Sequence, residues 1–159
     1  GGFTDCLLQR NVSQVYAIDV GYGQLDWRIR NDSRVVVLER CNMRYLDPSS
    51  ISCPVDLAVI DVSFISLSLI IPKVIPLLAK EAIVVALVKP QFEANAKQVG
   101  RGGIVRDNAV RLHTIQKIKR LAEKMGLKCL GTLDSPVLGK KGNQEILLGL
   151  QWSNSLGST

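Results

Sequence analysis

The sequence predicts an α/β fold built on a mostly parallel, doubly wound β-sheet whose last strand is antiparallel. Apolar runs rich in valine and isoleucine recur along the chain, and residues 83–88 (IVVALV) read as a strand buried on both faces. Between these runs, apolar residues recur at the spacing of an α-helix, most clearly at residues 107–126. Alternating strands and helices favour a parallel sheet with right-handed crossovers.

Composition indicates one globular domain with a basic surface. The chain has 159 residues, of which 47% are hydrophobic and 21% are charged, and its net charge is +6. A basic balance favours polyanionic partners such as nucleic acid or anionic membrane. The four cysteines are scattered without zinc-site spacing, which is typical of free thiols in a reducing cytosol. No segment is long and apolar enough to span a bilayer.

The first elements are a glycine loop, a helix and a strand. Gly1 and Gly2 lead into a helix at Cys6, an arrangement that lets backbone N–H groups approach a ligand; the alternative is a flexible terminus. Residues 15–20 are predicted to form a strand that carries Asp19 near its end, and two glycines follow at positions 21 and 23. An acid at this distance from a glycine loop suits ribose hydroxyls, although aspartate more often caps the next turn.

The middle of the chain adds two strands and a helix. Residues 27–31 are a helical turn or an extended connector, and 35–38 are a strand. The next strand, 55–62, carries Asp61 at its far end, where a carboxylate suits a crevice better than a core. Residues 66–80 have the broad apolar face of a helix, and two prolines are expected to delay its start or kink it.

Lys89 follows the strand 83–88, at the end that faces the ligand crevice in open α/β sheets, so it is a candidate functional residue. The alternative is a surface lysine that only marks where the strand leaves the core. The polar segment 91–106 is long for a connection and is expected to be a mobile lid or disordered. Asp107 is the predicted N-cap of a helix that ends at Gly126. A basic stripe along this helix either touches phosphates or, as we favour, is a solvated surface; it comprises His113, Lys117, Arg120 and Lys124.

The last two strands, 127–133 and 145–152, are joined by a basic turn and are expected to form an antiparallel hairpin. Antiparallel pairing would bring Glu145 to the edge where Asp61 and Lys89 lie. A lysine between two carboxylates suits proton abstraction from a weakly acidic hydroxyl. The alternative is an ion-pair network that only satisfies charges at the sheet edge.

Six motifs, in this order, closely resemble the TlyA (haemolysin A) group of FtsJ-like RNA methyltransferases. They are GGFTDCL, YAIDVGYGQLDWRIRND, VVVLERCNMRYL, DLAVIDVSFISLSLIIP, LVKPQFE and GNQEILLGL, and the resemblance runs from residue 1 to about residue 150. It implies a Rossmann-like, S-adenosylmethionine-dependent methyltransferase fold and a cytoplasmic enzyme that methylates ribose 2′-hydroxyls of ribosomal RNA, alone or in ribosomal subunits, without a metal.

The resemblance also implies roles for individual residues. Of the Lys-Asp-Lys-Glu tetrad of these enzymes, the last three members match Asp61, Lys89 and Glu145. The expected cofactor-binding residues are Gly1, Gly2 and Phe3 in the methionine-side loop, Asp19 as the ribose-binding acid and Asn42 as the adenine contact. Asp61 is expected to face the cofactor as well.

The chain also differs from the family in the segments expected before residue 1. The family has a small N-terminal RNA-binding domain of the S4 type, a first tetrad lysine and a first strand, so this chain is expected to be a truncated piece. Residues 1–152 would be the methyltransferase domain and 153–159 a disordered tail. The piece by itself is expected to show weak or no cofactor binding and little turnover. Rival interpretations are a non-catalytic RNA-binding protein, a haemolysin-like membrane-active protein and a nucleotide-binding oxidoreductase; self-association and the target nucleotide stay open.

Overall fold

A computed structural model describes residues 1–154, which form two compact units, Gly1–Ser52 and the residues from Cys53 onward. The described strands belong to two sheets, one in each unit, where the sequence predicted a single sheet. Strands alternate with helices in both units, so the predicted α/β class is confirmed.

The first unit is a small βα layer. Its two strands pair in parallel, with Val15 opposite Val35 and Ile18 opposite Leu38. The carboxyl ends of both strands therefore lie at one edge. Its elements are α1 (Gly2–Gln9), β1 (Val15–Ile18), α2 (Trp27–Arg30) and β2 (Val35–Leu38).

The second unit is a mixed four-stranded sheet with the order β3-β4-β6-β5. Its elements are β3 (Val55–Ile60), α3 (Leu67–Val74), β4 (Leu78–Val88), α4 (Pro90–Glu93), α5 (Asn108–Lys124), β5 (Lys128–Asp134) and β6 (Ile146–Ser153). β3 and β4 are parallel, whereas β6 is antiparallel to both β4 and β5. The predicted antiparallel last strand is confirmed.

The core of this unit lies between the sheet and the helices α3 and α5. Every second residue of the two central strands is almost fully buried, as the period of a strand requires; these are Val84, Ala86 and Val88 in β4, and Ile146, Leu148 and Leu150 in β6. From α5 come Ile115, Ile118 and Ala122. Leu112, expected in the same stripe, is 49% exposed. The two central strands thus anchor the edge where the candidate residues lie.

The helix predicted over 66–80 is shorter than expected. Ser66 caps α3 by accepting a hydrogen bond from Ser68 N, and the α-helix ends at Val74. Pro76, which has no N–H to donate, lies in a 3₁₀ turn that replaces the last helical turns. The chain then enters β4 at Leu78, several residues before the predicted start of that strand.

The segment 91–106, expected to be a lid or disordered, has local structure in the described chain. It contains α4, a 3₁₀ turn at Ala96–Gln98 and a β-bridge between Gly100 and Ile104. Asn143, which is 2% exposed and lies in the loop between β5 and β6, holds it by accepting from Val105 N and donating to the Gly103 carbonyl. The segment is therefore tied to the β5–β6 loop through its backbone.

The ends of helix α5 and of strand β6 lie close to the predicted positions. Asp107 caps α5 by accepting from Ala109 N, and Gly126 follows the helix with φ of 91°, a conformation that favours glycine. β6 runs through Ser153, one residue into the segment predicted as a tail. Residues 155–159 lie outside the described residues.

Candidate active site

Asp61 and Lys89 meet at the carboxyl ends of two neighbouring parallel strands. Ile60, the last residue of β3, is in register with Ala86 of β4, so the residues that follow both strands share one edge. The Lys89 Nζ lies 2.6 Å from Asp61 Oδ1, and it also donates to Ser63 Oγ at 3.1 Å. The lysine side chain is 11% exposed and the aspartate 49%, so the ion pair opens toward solvent on the acidic side.

Glu145 reaches the same edge from the antiparallel strand. Val88 is opposite Ile146 across β4 and β6, so Lys89 and Glu145 occupy neighbouring positions just beyond the ladder. Glu145 is 7% exposed, and its Oε1 accepts a hydrogen bond from Gln91 Nε2 at 2.9 Å. No ion pair joins Lys89 to Glu145 among the described residues. The three predicted residues thus share one edge, with Glu145 bound to an amide instead of to the lysine.

Sequence reasoning missed three neighbours of these residues. Ser63 follows Asp61 by two positions and supports the lysine, while Gln91 follows Lys89 by two positions and supports Glu145. A Cβ at Gly139 would overlap the carboxylate of Glu145, so the glycine makes room for that side chain. The two-residue spacing was visible in the motifs, whereas the approach of Gly139 depends on folding.

The predicted cofactor residues Gly1, Gly2 and Phe3 form the start of α1 in the first unit. Gly1 is the N-cap, and its carbonyl accepts from Asp5 N at 2.9 Å. Nothing lies within 4 Å of a Cβ built at Gly2, so this turn has open space beside it. The first backbone N–H groups of the helix have no partner within it, as at any helix N-terminus.

The two polar candidates of the first unit follow its two strands. Asp19 comes directly after β1 and accepts from Gly21 N through Oδ1 at 2.7 Å, so it does cap its turn. Asn42, beyond β2, accepts from Arg44 N at 3.0 Å and begins a 3₁₀ turn. Oδ2 of Asp19 is not used by this cap.

Glu39 is an acid of the first unit that the sequence did not single out. It directly follows β2, accepts from Gly23 N at 2.8 Å and forms an ion pair with Arg30. The hydrogen bond from Arg30 lowers the pKa of Glu39 and outweighs the opposing effect of partial burial. These contacts keep Glu39 ionised and hold the glycine turn in place.

Residues 1–154 contain no group of three or more His, Cys, Asp or Glu side chains arranged to hold a metal ion. Within the same range, no helix is both long enough and apolar enough to cross a membrane.

The chain is similar to proteins of several bacteria. It is 48% identical over 151 residues to the 16S/23S rRNA (cytidine-2′-O)-methyltransferase TlyA of Mycobacterium tuberculosis, covering 95% of this chain and 56% of the relative. It is 39% identical over 148 residues to hemolysin A of Brachyspira hyodysenteriae, covering 92% of this chain and 62% of that protein. The chain therefore spans little more than half the length of these curated relatives.

Solved structures agree with the fold. A Lactococcus lactis protein provisionally described as a hemolysin superposes with a TM-score of 0.93 at 45% identity, covering 97% of this chain and 74% of the other. The N-methyltransferase NodS of Bradyrhizobium japonicum has a TM-score of 0.59 at 12% identity, covering 92% of this chain and 78% of the other, and it supports the fold alone. A family model described as FtsJ-like methyltransferase matches residues 1–152, and the chain belongs to the FtsJ-like methyltransferase family.

Proposed function

We propose that this chain carries the methyl-transfer site of an S-adenosylmethionine-dependent enzyme that methylates ribose 2′-hydroxyls of ribosomal RNA in the cytoplasm. The observation that carries the proposal is the contact of Lys89 with Asp61 and Ser63 in a member of the FtsJ-like family. The substrate class is proposed from the relative named for cytidine-2′-O methylation of ribosomal RNA.

The chemistry of the first unit fits the cofactor. α1 begins at Gly2, where the open space beside the backbone leaves room for a ligand, and an α-helix N-terminus attracts negative charge. Asp19, at the carboxyl end of β1, has Oδ2 for a ribose hydroxyl while Oδ1 caps the turn. The residues of the first unit that would hold the group are Gly1, Gly2, Phe3, Asp19 and, for the adenine, Asn42. When bound, the group supplies an electrophilic methyl group.

The residues of the second unit would prepare the nucleophile. Lys89 is held through two contacts, to Asp61 and Ser63, so its ammonium or amine group has a fixed position from which to guide or receive the 2′-hydroxyl proton. Asp61 stabilises the lysine cation that results. Glu145, oriented by Gln91, adds a second carboxylate at this edge. Rate enhancement would come mainly from orientation and from charges that are already in place.

The test is transfer of labelled methyl groups from S-adenosylmethionine to ribosomal subunits. It should be run with the chain alone and with the chain grafted into a relative in place of the part that it matches, because the chain covers 56% of the length of that relative. Lys89→Ala should abolish transfer, whereas Lys80→Ala, which changes an exposed lysine at the opposite end of β4, should not. Equal transfer by both variants would disprove the assigned role.

A second candidate, RNA binding without catalysis, is favoured by a cleft beside α5. The cleft has a volume of about 520 Å³, and four of its lining residues are basic or histidine: His113, Lys117, Arg120 and Lys124. A basic cleft attracts phosphates irrespective of sequence. This candidate predicts that Lys89→Ala leaves both RNA affinity and biological activity intact, whereas the enzyme loses only the activity.

A further inference from the structure

Two segments that carry candidate catalytic residues contact each other at three places. The first follows β3 and contains Asp61 and Ser63; the second follows β4 and begins at Lys89. Lys89 contacts both residues of the first segment. Further along, the rings of Phe64 and Phe92 lie with centroids 4.9 Å apart. Beyond them, the two segments meet again at Glu93.

Glu93 closes this series of contacts from a buried position. It is 5% exposed, and its two carboxylate oxygens accept from the Ser66 hydroxyl at 2.6 Å and from Leu67 N at 2.8 Å. These donors belong to the first turn of α3, so the glutamate at the end of α4 caps a different helix. Lys117 of α5 fixes the glutamate backbone by donating to its carbonyl at 3.2 Å.

A buried carboxylate is an expensive way to cap a helix. Burial raises the pKa of Glu93, and the hydrogen bonds from Ser66 and Leu67 and the charge of Lys117 offset only part of this effect. Ser66 already caps α3 by accepting from Ser68 N, and a neutral cap avoids the cost of burying a carboxylate. The buried carboxyl group of Glu93 therefore calls for an explanation other than helix capping.

The backbone of the first segment gives that explanation. Phe64 has φ of 61°, a conformation that is unfavourable for a residue with a side chain, and its ring is 83% exposed. Such a turn needs to be held from outside, and the contacts at Phe92 and Glu93 hold it on the side away from Lys89.

We propose that Glu93 is a positioning residue that sets the distance between Asp61 and Lys89 by fixing the segment 61–67 against the segment 89–93. This inference rests on the proposed function of the site. Glu93 does not touch the reacting atoms. It acts on the distance between Asp61 and Lys89 through the turn at Phe64.

The test compares Glu93→Gln with a matched control, Glu81→Gln. Glu81 also accepts a serine hydroxyl hydrogen bond at 2.6 Å, from Ser153, but it is exposed and lies at the opposite end of β4. Glu93→Gln should lower kcat for methyl transfer by about 10- to 100-fold, because misplacement by about 1 Å is that costly, and should leave KM for RNA and Kd for S-adenosylmethionine within about twofold. The control should retain full kcat.

A double-mutant cycle separates positioning from loss of stability. Ser66→Ala should lower kcat by itself, and its effect should be smaller in the Glu93→Gln background, since both changes remove the same contact. If Glu93→Gln does not fold, Ser66→Ala decides, and wild-type kcat in that variant would overturn the inference. Active Lys89→Ala would refute the proposed function, whereas inactive Lys89→Ala with fully active Glu93→Gln would refute this inference alone.

Discussion

Gly139 lies so close to the carboxylate of Glu145 that a side chain at its position would have to displace that carboxylate. Its φ is −68°, which any residue adopts, so only the lack of space requires glycine here. The loop between β5 and β6 thereby helps to fix the direction of a candidate catalytic side chain.

Gly139→Ala should reduce methyl transfer without much loss of stability. The atoms in the way are the outer part of a flexible side chain, so Glu145 can move aside, losing its bond to Gln91. We expect kcat to fall by about tenfold or more, equivalent to about 1.4 kcal/mol, and the melting temperature to change by only a few degrees.

The control for this change is Gly149→Ala. A Cβ at Gly149, in the same strand as Ile146, would meet its nearest neighbour at an ordinary 3.7 Å. Activity should therefore be retained. Equal activity of the two variants would show that the orientation of Glu145 does not matter for transfer.

Asp61→Asn should lower kcat by about 100-fold, because Lys89 loses the charge that holds its Nζ in place. The matched control is Asp134→Asn, which breaks an ion pair with Arg111. The Asp134 side chain is 63% exposed. Surface pairs contribute little, so this variant should resemble the wild type in both activity and stability. Steady-state methyl-transfer kinetics distinguish the two outcomes, and equal losses would contradict the role of Asp61.

Asp32 should make the first unit sensitive to acid. Two hydrogen bonds from the Arg34 side chain lower the pKa of Asp32 from 3.8 to about 2. The folded-state pKa lies below that of the unfolded chain, so the stabilisation is complete above about pH 4 and is lost as the pH falls toward about 2. Asp32→Asn should therefore melt at a lower temperature than the wild type at pH 7.

Circular dichroism melting curves between pH 7 and pH 2 measure this effect. The difference between the two proteins should shrink as Asp32 becomes protonated and disappear near pH 2. A difference that stays constant across this range would mean that the Arg34 pair does not stabilise the fold.

Asn143→Ala should destabilise the second unit. Its side chain is buried and bonds to Val105 N at 2.9 Å and to the Gly103 carbonyl at 2.8 Å, so its removal costs two hydrogen bonds and leaves a cavity. The cost should be about 1–3 kcal/mol. Urea unfolding measures the loss, and hydrogen exchange should quicken first at Val105.

An exposed asparagine provides the comparison. Asn108→Ala removes a hydrogen bond to Arg111 on the surface of α5, and it should cost less than about 0.5 kcal/mol. Equal destabilisation by the two changes would argue against a special role for Asn143.

Local patterns were enough to predict the individual elements and one pair of the site. The strand at Val35–Leu38 and the caps of α5 at Asp107 and Gly126 follow from neighbouring residues alone. Asp61 and Lys89 were predicted together because each follows a buried strand, and parallel strands end at the same edge.

The remaining parts of the site depend on contacts between distant residues. Gln91 meets Glu145 across 54 positions, and Glu93 meets Ser66 across 27. No periodicity records such pairs, because each is set by how two loops pack after the sheet has formed. The end of α3 was predicted too late for a local reason. Pro76 was expected to disturb the helix, but the apolar residues that follow it, which begin β4, were assigned to the helix.

The pairing of Val88 with Ile146 also limits how the chain can change in length during evolution. Side chains alternate between the two faces of a strand, so sliding β6 by one residue would turn Glu145 away from its neighbours and exchange the buried Ile146, Leu148 and Leu150 for Leu147, Gly149 and Gln151. Inserted or deleted residues are therefore tolerable at the exposed tip 136–138, but not between Gly139 and Glu145. Homologous sequences should vary in length at that tip and keep a constant spacing after it.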